Sequence, residues 1–378
     1  MVSEHHRNLS IFSFNCSKER VLEIKRNSYT LKLKPMATKR QQLPEEIIPP
    51  ATGRKILLSL LCPWLLFGLA NFGANLYLNS FPENRGYWLI KQKWSMLLNQ
   101  QKPADFLVLG DSSCNQGVVP DVIDSELDVT AVNLCTIGDS LALNDAWMLS
   151  KHIKKYGAPK KVTIVHVYDM WSRDINWNVT SQTPLSWGYW EQLEPNIDVS
   201  FENQKTIFLN QYLPLYSQNT SLRKIIDNPE RWFVRKDYTL QEDGFMVVSN
   251  SNSGEVEVDT KRHLKSVKEK QFNLSYPNQK SLEAIIQLAE KYDFDVYLTN
   301  SPIYEELYRD KDFQAYYSQV QQKLAEFSAR SDKLHYIMRE PMTFTKQEMD
   351  NADHLIESSA KVYTQRLVSE IKKIQNKK

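Results

Sequence analysis

Two widely separated segments carry side chains that could perform nucleophilic catalysis. In the first, an apolar run stops at Gly110 and is followed two residues later by Ser112. In the second, near the C-terminus, Asp350 and Asp353 precede His354 by four residues and by one residue. A serine becomes a nucleophile when a histidine removes its proton and a carboxylate orients the imidazole, in any chain order. These residues are therefore candidates for a hydrolytic triad.

The elements around these residues predict an α/β domain with a parallel sheet. Strands separated by helices imply parallel pairing, with helices on both faces of the sheet. Ligands bind such sheets at the carboxyl ends of the strands, where Ser112 would lie. The predicted strands are Phe106–Leu109, Val129–Asn133, Lys161–Val167, Asp295–Leu298 and Leu334–Met338, and the predicted helices are Pro120–Leu127, Ser140–Tyr156, Lys280–Tyr292, Tyr304–Ala329 and Glu357–Ile374.

Residues 170–265 interrupt this alternation. The segment is rich in Trp, Asn, Ser and Tyr and has little periodicity. A structureless loop of this length is unusual in a compact domain, so we predict an insertion or lid with short helices of its own. Its aromatic residues either stack on sugar rings or form a small core, and the sequence leaves both interpretations open for Trp171, Trp177, Trp187 and Trp190.

Residues 56–78 form an uncharged stretch of 23 residues that predicts a transmembrane anchor. A helix of this length crosses the ~30 Å hydrocarbon core of a bilayer. Residues 1–55 hold 11 Lys/Arg against 5 Asp/Glu, and the positive-inside rule keeps such a head in the cytoplasm and exports the C-terminal body. The alternatives are a signal peptide cleaved near Gly68–Ala70 and a buried core helix.

The predicted organisation has four parts. Residues 1–55 are a basic, disordered cytoplasmic tail, in which Met36 resembles an ordinary start and competes with Met1 as the first residue. Residues 56–78 are the anchor, and 79–103 are a juxtamembrane linker. The amphipathic part of that linker, around Trp88 and Trp94, lies on the bilayer or packs under the domain. Residues 104–378 are the α/β domain with its insertion.

Composition narrows the class of protein. An apolar fraction of 42% suits a packed globular protein, and a net charge of +2 gives no argument for a nucleic-acid partner. No Cys-x-x-Cys or Cys/His cluster occurs, so neither a metal nor a cofactor is predicted. Cys114 and Cys135 follow predicted strands, where a disulfide is possible, but two separate thiols are the favoured interpretation. No Gly-x-Gly-x-x-Gly follows the first strand, which disfavours dinucleotide binding.

The motifs resemble those of the SGNH/GDSL hydrolase superfamily, and in particular its membrane-anchored branch with the DltD- and AlgX-like proteins of bacterial surface-polysaccharide acylation. That branch reads Gly-x-Ser near the start, Asn-Leu-Gly after the second strand and His-Leu before the last helix. This chain has Gly110-Asp111-Ser112, Asn133-Leu134-Cys135 and His354-Leu355. A second Gly-Asp-Ser at Gly138–Ser140 competes with the first, which follows the clearer strand and is preferred.

The resemblance implies a three-layer α/β/α, flavodoxin-like domain and serine catalysis of ester chemistry. Ser112 would attack the acyl carbon, His354 would be the general base, and Asp350 or Asp353 would orient the imidazole. Ser113 and Gly138 would supply oxyanion donors. The chain would then be an extracytoplasmic esterase or O-acyltransferase. Its substrate would be an ester of a surface glycan or lipid-linked sugar, and its partners would be the lipid bilayer, a surface polysaccharide or an acyl-donor membrane protein.

Two departures from the superfamily pattern support an alternative. The superfamily's aspartate stands three residues before the histidine, where this chain has Asn351. The Gly-x-Asn-Asp motif is missing, because Asn144-Asp145 lacks the glycine and Asp169 follows the third strand instead. The alternative is a catalytically degenerate protein of the same fold that binds a surface polysaccharide or an assembly partner.

Overall fold

The computed structural model of the protein describes residues 50–81, 84–231 and 239–377. Residues 1–49, with most of the predicted basic tail and both candidate start positions, lie outside the described residues. The chain divides into two compact units, Met1–Leu58 and Ser59–Lys378. Of the first unit, only the initial turns of a helix are described. The second unit contains the remainder of that helix and the whole sheet.

The first helix, α1, spans Pro50–Ser80. Its Lys55–Ser80 portion is long and apolar enough to cross a membrane, and no other described helix meets that criterion. At a rise of 1.5 Å per residue this portion is about 39 Å long, against about 30 Å of hydrocarbon. Its aliphatic side chains are exposed; Leu65, for example, is 64% exposed. The helix predicted over 56–78 is therefore present.

The second helix, α2, spans Arg85–Leu98 and packs into the domain. The side chain of Asn84 caps it by accepting a hydrogen bond from the Tyr87 N–H at 3.1 Å. Ile90, Trp94 and Leu97 on one side of the helix are buried in the main hydrophobic core. The amphipathic juxtamembrane stretch thus lies under the domain, which is one of the two placements that its sequence allowed.

Five parallel strands form the central sheet in the order β2-β1-β3-β4-β6. The central strands β1 and β3 consist mainly of apolar or β-branched residues, a composition that suits strands buried on both faces. Two further strands, β5 and β7, pair in parallel in a separate two-stranded sheet. The strands are β1 Phe106–Gly110, β2 Ala131–Asn133, β3 Lys161–His166, β4 Asp295–Asn300, β5 Ile303–Tyr304, β6 Leu334–Tyr336 and β7 Thr343–Phe344.

Helices connect the strands, and six short or medium helices occupy the described part of the insertion between β3 and β4. These six helices are α6 to α11, and the next helix, α12, leads back to the sheet. The helices after α2 are α3 Ser112–Gly117, α4 Pro120–Leu127, α5 Leu141–Tyr156, α6 Trp177–Thr180, α7 Tyr189–Gln192, α8 Phe201–Tyr212, α9 Pro214–Ser217, α10 Asn219–Ile226, α11 Ser253–Val267, α12 Tyr276–Tyr292, α13 Glu305–Arg309, α14 Lys311–Ser328 and α15 Glu357–Gln375.

The alternation of side chains along β1 divides the core between the two faces of the sheet. Leu107 and Leu109 belong to the larger cluster, to which α5, α12 and α14 contribute. Phe106 and Val108 belong to the smaller cluster, to which α3, α4 and α15 contribute. All four are fully buried, and each such side chain contributes about 1.5–3 kcal/mol. The mixed α/β class with a parallel sheet is therefore confirmed.

One predicted helix is wrong. The stretch Tyr304–Ala329 is not a single helix, because Ile303–Tyr304 pairs as β5 and the following residues form two helices, α13 and α14. The side chain of Asp310 separates them by accepting hydrogen bonds from the N–H groups of Asp312 and Phe313 at 2.9 and 3.0 Å. An aspartate that satisfies the first N–H groups of a helix favours a new start over continuation.

The favoured interpretation of the cysteines is also wrong. Cys114 in α3 and Cys135 after β2 form a disulfide, and their Cα atoms are 5.8 Å apart. The two residues meet because β1 and β2 are neighbours, so the turns that follow these strands are adjacent. Disulfides persist in oxidising compartments, and this bond is therefore in keeping with an extracytoplasmic domain.

The tryptophans of the insertion do not share one environment. Trp171 and Trp190 are buried in the main core. Trp177 packs against that core and is partly buried. Trp187 remains 42% exposed. Trp171 and Trp190 are therefore part of the main core and not of a separate small core of the insertion, and of the four tryptophans Trp187 has the most exposed ring.

Candidate active site

Ser112 is the first residue of α3, directly above the carboxyl end of β1. The chain reaches this position through Gly110, whose φ of +146° favours glycine. A Cβ on Gly110 would lie 2.0 Å from the carbonyl oxygen of Val165, so no larger residue fits. The strand order reverses between β1 and β3, which makes this the topological switch point where open α/β sheets bind ligands.

The helix that carries Ser112 is held from several sides. The side chain of Asn133 donates to the carbonyl oxygens of Cys114 and Val118 at 3.2 and 2.8 Å. The Cys114–Cys135 disulfide ties the same helix to the turn after β2. These links act through backbone and covalent bonds, so the position of the serine is set by β1 and β2 together.

Beneath Ser112 lies a buried charge network centred on His166 at the end of β3. The Asp111 carboxylate caps α3 by accepting from the N–H and hydroxyl of Ser113 at 3.0 and 2.6 Å. Its other oxygen lies 3.3 Å from His166 Nδ1, and an oxygen of Asp145 lies 2.5 Å from Nε2. Burial alone would lower the pKa of His166, but the two carboxylates raise that pKa to about 9. The imidazolium therefore balances part of the negative charge.

His354 lies in the loop before α15, and its Nδ1 has two acceptors. Asp353 Oδ1 is 2.6 Å away and Asn351 Oδ1 is 2.7 Å away. Because both partners are oxygens, Nδ1 carries the proton, and in the neutral ring Nε2 is the proton acceptor. No described residue forms a hydrogen bond with Nε2. This is the tautomer that a general base for a serine hydroxyl requires.

The charges around His354 shift two pKa values in opposite directions. Burial alone would raise the pKa of Asp353, but the charge and hydrogen bond of His354, with lesser help from His263 and Arg173, lower it well below its usual range. Burial alone would lower the pKa of His354, but Asp353, aided by Asp111 and Asp350, raises it above its usual value. Asp353 is therefore ionised and stabilises the imidazolium that forms when His354 accepts a proton.

Ser112 and His354 line the same cavity, which has a volume of about 350 Å³. Asp353, Asn351 and Gly138 line it as well, so the structure brings together three elements that are far apart in the sequence. No hydrogen bond joins the hydroxyl of Ser112 to His354 among the described residues. Catalytic hydrogen bonds are often long in structures without substrate and tighten when substrate binds.

Two of the sequence candidates lie outside this lining. Asp350 makes its contact through the backbone, with its N–H donating to the carbonyl oxygen of His354 at 2.9 Å. Its charge contributes to the raised pKa of His354, but the imidazole is held by Asn351 and Asp353. Ser113 is fully buried, and its N–H already donates to Asp111, so that bond would have to be exchanged before the N–H could serve an oxyanion.

The other oxyanion candidate, Gly138, packs against a guanidinium group. A Cβ at Gly138 would lie 2.9 Å from Nη1 of Arg173. The guanidinium of Arg173 is paired with Asp139 at 3.0 Å and with Asp169 at 2.8 Å. Gly138, Asp169 and Arg173 line the cavity together with Ser112. Arg173 is therefore a fixed positive charge in the cavity that Ser112 lines, and the sequence analysis did not identify it.

The insertion supplies a second group that the sequence analysis missed. Asp259, Arg262 and His263 on α11 line the cavity. Asp259 accepts from the N–H of Ala352 at 3.3 Å, which fastens α11 to the loop of His354. The signal that could have found them is the Asp259/His263 spacing of four, which places both on one face of a helix.

Asp259, His263 and Asp353 are also the described residues that could hold a metal ion, since their ligand atoms all lie within 4.8 Å of one another. Each of them already has a protein partner. His263 contacts Asp259 at 3.3 Å and the Tyr168 hydroxyl at 2.7 Å, while Asp353 contacts His354. The nearby guanidinium of Arg262 lies 2.7 Å from Asp259. This donor set is satisfied by internal ion pairs and does not call for a cation.

The geometry therefore unites a serine, a histidine whose Nδ1 is bonded to a carboxylate, and that carboxylate in one cavity at the switch point of the sheet. Comparison with known proteins adds no family to this description: no family model and no curated protein matches the sequence.

Proposed function

We propose that this chain is a membrane-anchored, extracytoplasmic serine esterase or O-acyltransferase with a flavodoxin-like fold of the SGNH type. The observation that carries the proposal is the shared cavity of Ser112 and His354, with Nδ1 of the histidine bonded to Asp353. A nucleophile, a base and an orienting acid are the groups that acyl transfer through a serine requires. When the strands of the central sheet are counted alone, so that β6 is the fifth, their order agrees with the 2-1-3-4-5 order of flavodoxin-like sheets.

The reaction would proceed in two balanced steps. The Ser112 oxygen attacks the acyl carbon while His354 Nε2 takes the hydroxyl proton, and the resulting tetrahedral oxyanion is stabilised by Arg173 and backbone N–H groups. The C–O bond of the ester breaks, and the leaving alkoxide receives the proton from His354. A water or an acceptor hydroxyl then attacks the acyl-Ser112 ester, with His354 again taking and returning the proton. Hydrolysis and acyl transfer differ only in that acceptor.

The anchor and the disulfide support an extracytoplasmic location. Helix α1 is long enough to span a bilayer, and the basic residues that precede it favour a cytoplasmic N-terminus. Disulfides such as Cys114–Cys135 persist in oxidising compartments, which supports the same location. The substrate class, an ester of a surface glycan or a lipid-linked sugar, follows from the resemblance to the polysaccharide-acylation branch and from the proposed place of the domain outside the cell membrane.

Labelling by a fluorophosphonate probe tests the serine. We expect the full-length protein in detergent to be labelled, and the labelling to disappear in Ser112→Ala and in His354→Ala. Ser140→Ala is the matched control, because Ser140 belongs to the second Gly-Asp-Ser and is buried without a hydrogen-bond partner for its hydroxyl. Labelling lost only in Ser140→Ala would show that the nucleophile is misassigned.

A binding protein of the same fold is the second candidate. It is favoured by Asn351 at the place of the superfamily's aspartate and by the engagement of the Ser113 N–H with Asp111. A wild-type protein that is folded by circular dichroism, is not labelled by the probe, and still binds O-acylated polysaccharide would support this candidate and contradict the enzyme.

A further inference from the structure

We propose that the outer face of α8 and α9 in the insertion lies on the lipid bilayer, at the boundary between headgroups and acyl chains of the leaflet where α1 ends. The domain would then be attached to the membrane by two elements, the anchor and this face. The inference rests on the proposed membrane span of α1, and it is independent of whether Ser112 is catalytic.

The anchor and the insertion are joined by two hydrogen bonds at one asparagine. Asn71 Nδ2 donates to the carbonyl oxygen of Tyr212 at 2.7 Å, and the N–H of Leu215 donates to Asn71 Oδ1 at 3.2 Å. Both bonds reach the backbone at the junction of α8 and α9. The end of α8 therefore sits directly beside the anchor helix.

The level of this contact along α1 places it near the membrane surface. Asn71 precedes the end of the helix at Ser80 by nine residues, or about 13 Å at the rise of an α-helix. The Lys55–Ser80 portion exceeds the hydrocarbon thickness by only about 9 Å in total. With Lys55 at one hydrocarbon boundary, all of this excess lies at the Ser80 end, and Asn71 lies about 4 Å inside the other boundary. The residues of α1 near Ser80 thus cross the headgroup region, and the junction of α8 and α9 is held close to the hydrocarbon boundary.

A polar stripe on α1 shows which side of the anchor faces the protein. Asn71, Asn75 and Asn79 recur every four residues and therefore share one face of the helix. Asn75 and Asn79 line a cavity together with residues of the insertion, while Phe72 and Leu76 on the other sides are 61% and 53% exposed. The insertion covers the polar side of these turns and leaves the apolar sides for lipid.

From the contact with Asn71, a row of exposed aromatic rings runs across the insertion. The rings of Tyr212 and Phe208 are 5.2 Å apart, and those of Phe208 and Trp187 are 6.1 Å apart. These side chains are between 42% and 47% exposed, and Tyr216 on α9 is 62% exposed. Aromatic side chains, Trp and Tyr above all, favour the membrane interface, where the ring meets acyl chains and the polar group meets headgroups. Because this row of rings starts beside α1, the surface that it contacts is the bilayer around that helix.

The opposite edge of the domain provides a control position. Helix α2 follows the anchor and passes the carboxyl edge of the sheet, where its Lys93 side chain donates to the carbonyl oxygen of Asn133 at 2.8 Å. It ends near the amino edge, where the carbonyl oxygen of Leu98 accepts from the Tyr156 hydroxyl at 3.1 Å. Tyr292 ends α12 just before β4, at that amino edge, and is 40% exposed.

The test uses the full chain in phosphatidylcholine/phosphatidylglycerol nanodiscs. In a Cys16→Ser/Cys62→Ser background that keeps the disulfide, a nitroxide is attached at Phe208→Cys or, in a second variant, at Tyr216→Cys. Collision of the label with oxygen, which concentrates in lipid, and with a water-soluble nickel chelate is measured by electron paramagnetic resonance. Labels at Tyr292→Cys and at Leu69→Cys in the anchor give the aqueous and hydrocarbon references.

We expect the ratio of oxygen to nickel collisions at positions 208 and 216 to exceed that at 292 several-fold and to approach that at 69. Ratios at 208 and 216 equal to that at 292, with a lipid value at 69, would overturn the inference and leave the anchor in place. A label at 208 shielded from both reagents would mean a protein contact and would also overturn it. An aqueous value at 69 would remove the anchor on which the inference rests.

Discussion

The carboxylate of Asp353 lies 2.6 Å from Nδ1 of His354, its neighbour in the chain. Adjacent residues seldom point at each other, but here the N–H of Asp353 donates to Asn351 Oδ1 at 3.1 Å and turns the loop back on itself. Asn351 also accepts from the imidazole. The negative charge beside the imidazole thus comes from the adjacent residue, while Asn351 supplies a second, uncharged acceptor for the same nitrogen.

This relationship predicts how the reaction with the probe depends on pH and on Asp353. His354 must be neutral to act as a base, and its pKa is raised above the ordinary 6.5, so we expect the labelling rate to increase with pH through a midpoint above 6.5. Asp353→Asn removes the main charge that raises this pKa, so the midpoint moves to lower pH. The plateau rate falls on the order of 10²–10⁴-fold because the imidazolium loses its partner.

Asp350→Asn is the matched control for Asp353→Asn. Because Asp350 contacts His354 through its backbone N–H, we expect a rate within a few-fold of wild type and only a small shift of the midpoint. The plateau rate and the pH midpoint are both measured by quenching the probe reaction after set times between pH 5 and pH 9. If Asp350→Asn lost the activity and Asp353→Asn kept it, the assignment of the orienting carboxylate would be reversed.

Gly138→Ala should impair the reaction without unfolding the protein. The added methyl group would lie 2.9 Å from Nη1 of Arg173, so the guanidinium must move away from the oxyanion position. We expect the labelling rate to fall by about 10–100-fold if Arg173 stabilises the oxyanion, since a single such donor contributes about 2.7–4 kcal/mol and is only displaced here. The melting temperature should change little. Gly73→Ala in helix α1, where no atom lies within 4 Å of an added Cβ and the backbone is helical, is a control for substitution of a glycine as such.

His166→Gln should destabilise the domain. The substitution leaves Asp111 and Asp145 buried together without the imidazolium, and breaking a buried ion pair costs about 3–5 kcal/mol. The folded-state pKa of about 9 lies above the unfolded value of 6.5, so this stabilisation is complete below pH 6.5 and is lost as the pH rises through 9.

Melting curves followed by tryptophan fluorescence from pH 6 to pH 10 measure both effects of His166. Wild type should lose thermal stability between pH 6.5 and 9, and His166→Gln should be less stable at pH 6 with a flatter dependence over that window. His335→Gln is the comparison, because His335 pairs with Asp295 at 2.9 Å and both side chains are partly exposed. An equal loss in the two variants would argue against a special role for the buried network.

Removal of the disulfide should loosen the helix that carries Ser112. Cys114 and Cys135 are 21 residues apart, and in the chain-entropy account a loop of that size contributes about 3 kcal/mol. We expect Cys114→Ala/Cys135→Ala to lower the melting temperature by several degrees and to slow labelling. Cys62→Ser, at the exposed cysteine of helix α1, should do neither. Unchanged stability of the double variant would show that the bond adds nothing to the native state.

Local patterns in the sequence were sufficient for the class of fold and for the main candidates. The apolar run Phe106–Leu109 and the β-branched run Lys161–Val167 each predicted a strand, because strands buried on both faces must be apolar, and the structure pairs the two. The uncharged stretch 56–78 predicted α1 by length alone. Ser112 and His354 were found because a hydroxyl after a strand and an imidazole before a helix are local features.

What tertiary structure decided is every relationship between residues that are distant in the chain. Sequence could not choose between Asp350 and Asp353, because the choice depends on how Asn351 turns the loop. It could not find Arg173 or Asp259 in the cavity, nor pair Cys114 with Cys135. The physical reason is that hydrogen bonds, ion pairs and disulfides act over a few ångströms, and only the folded chain sets those distances. Periodicity reports what each segment buries, but not which segment it meets.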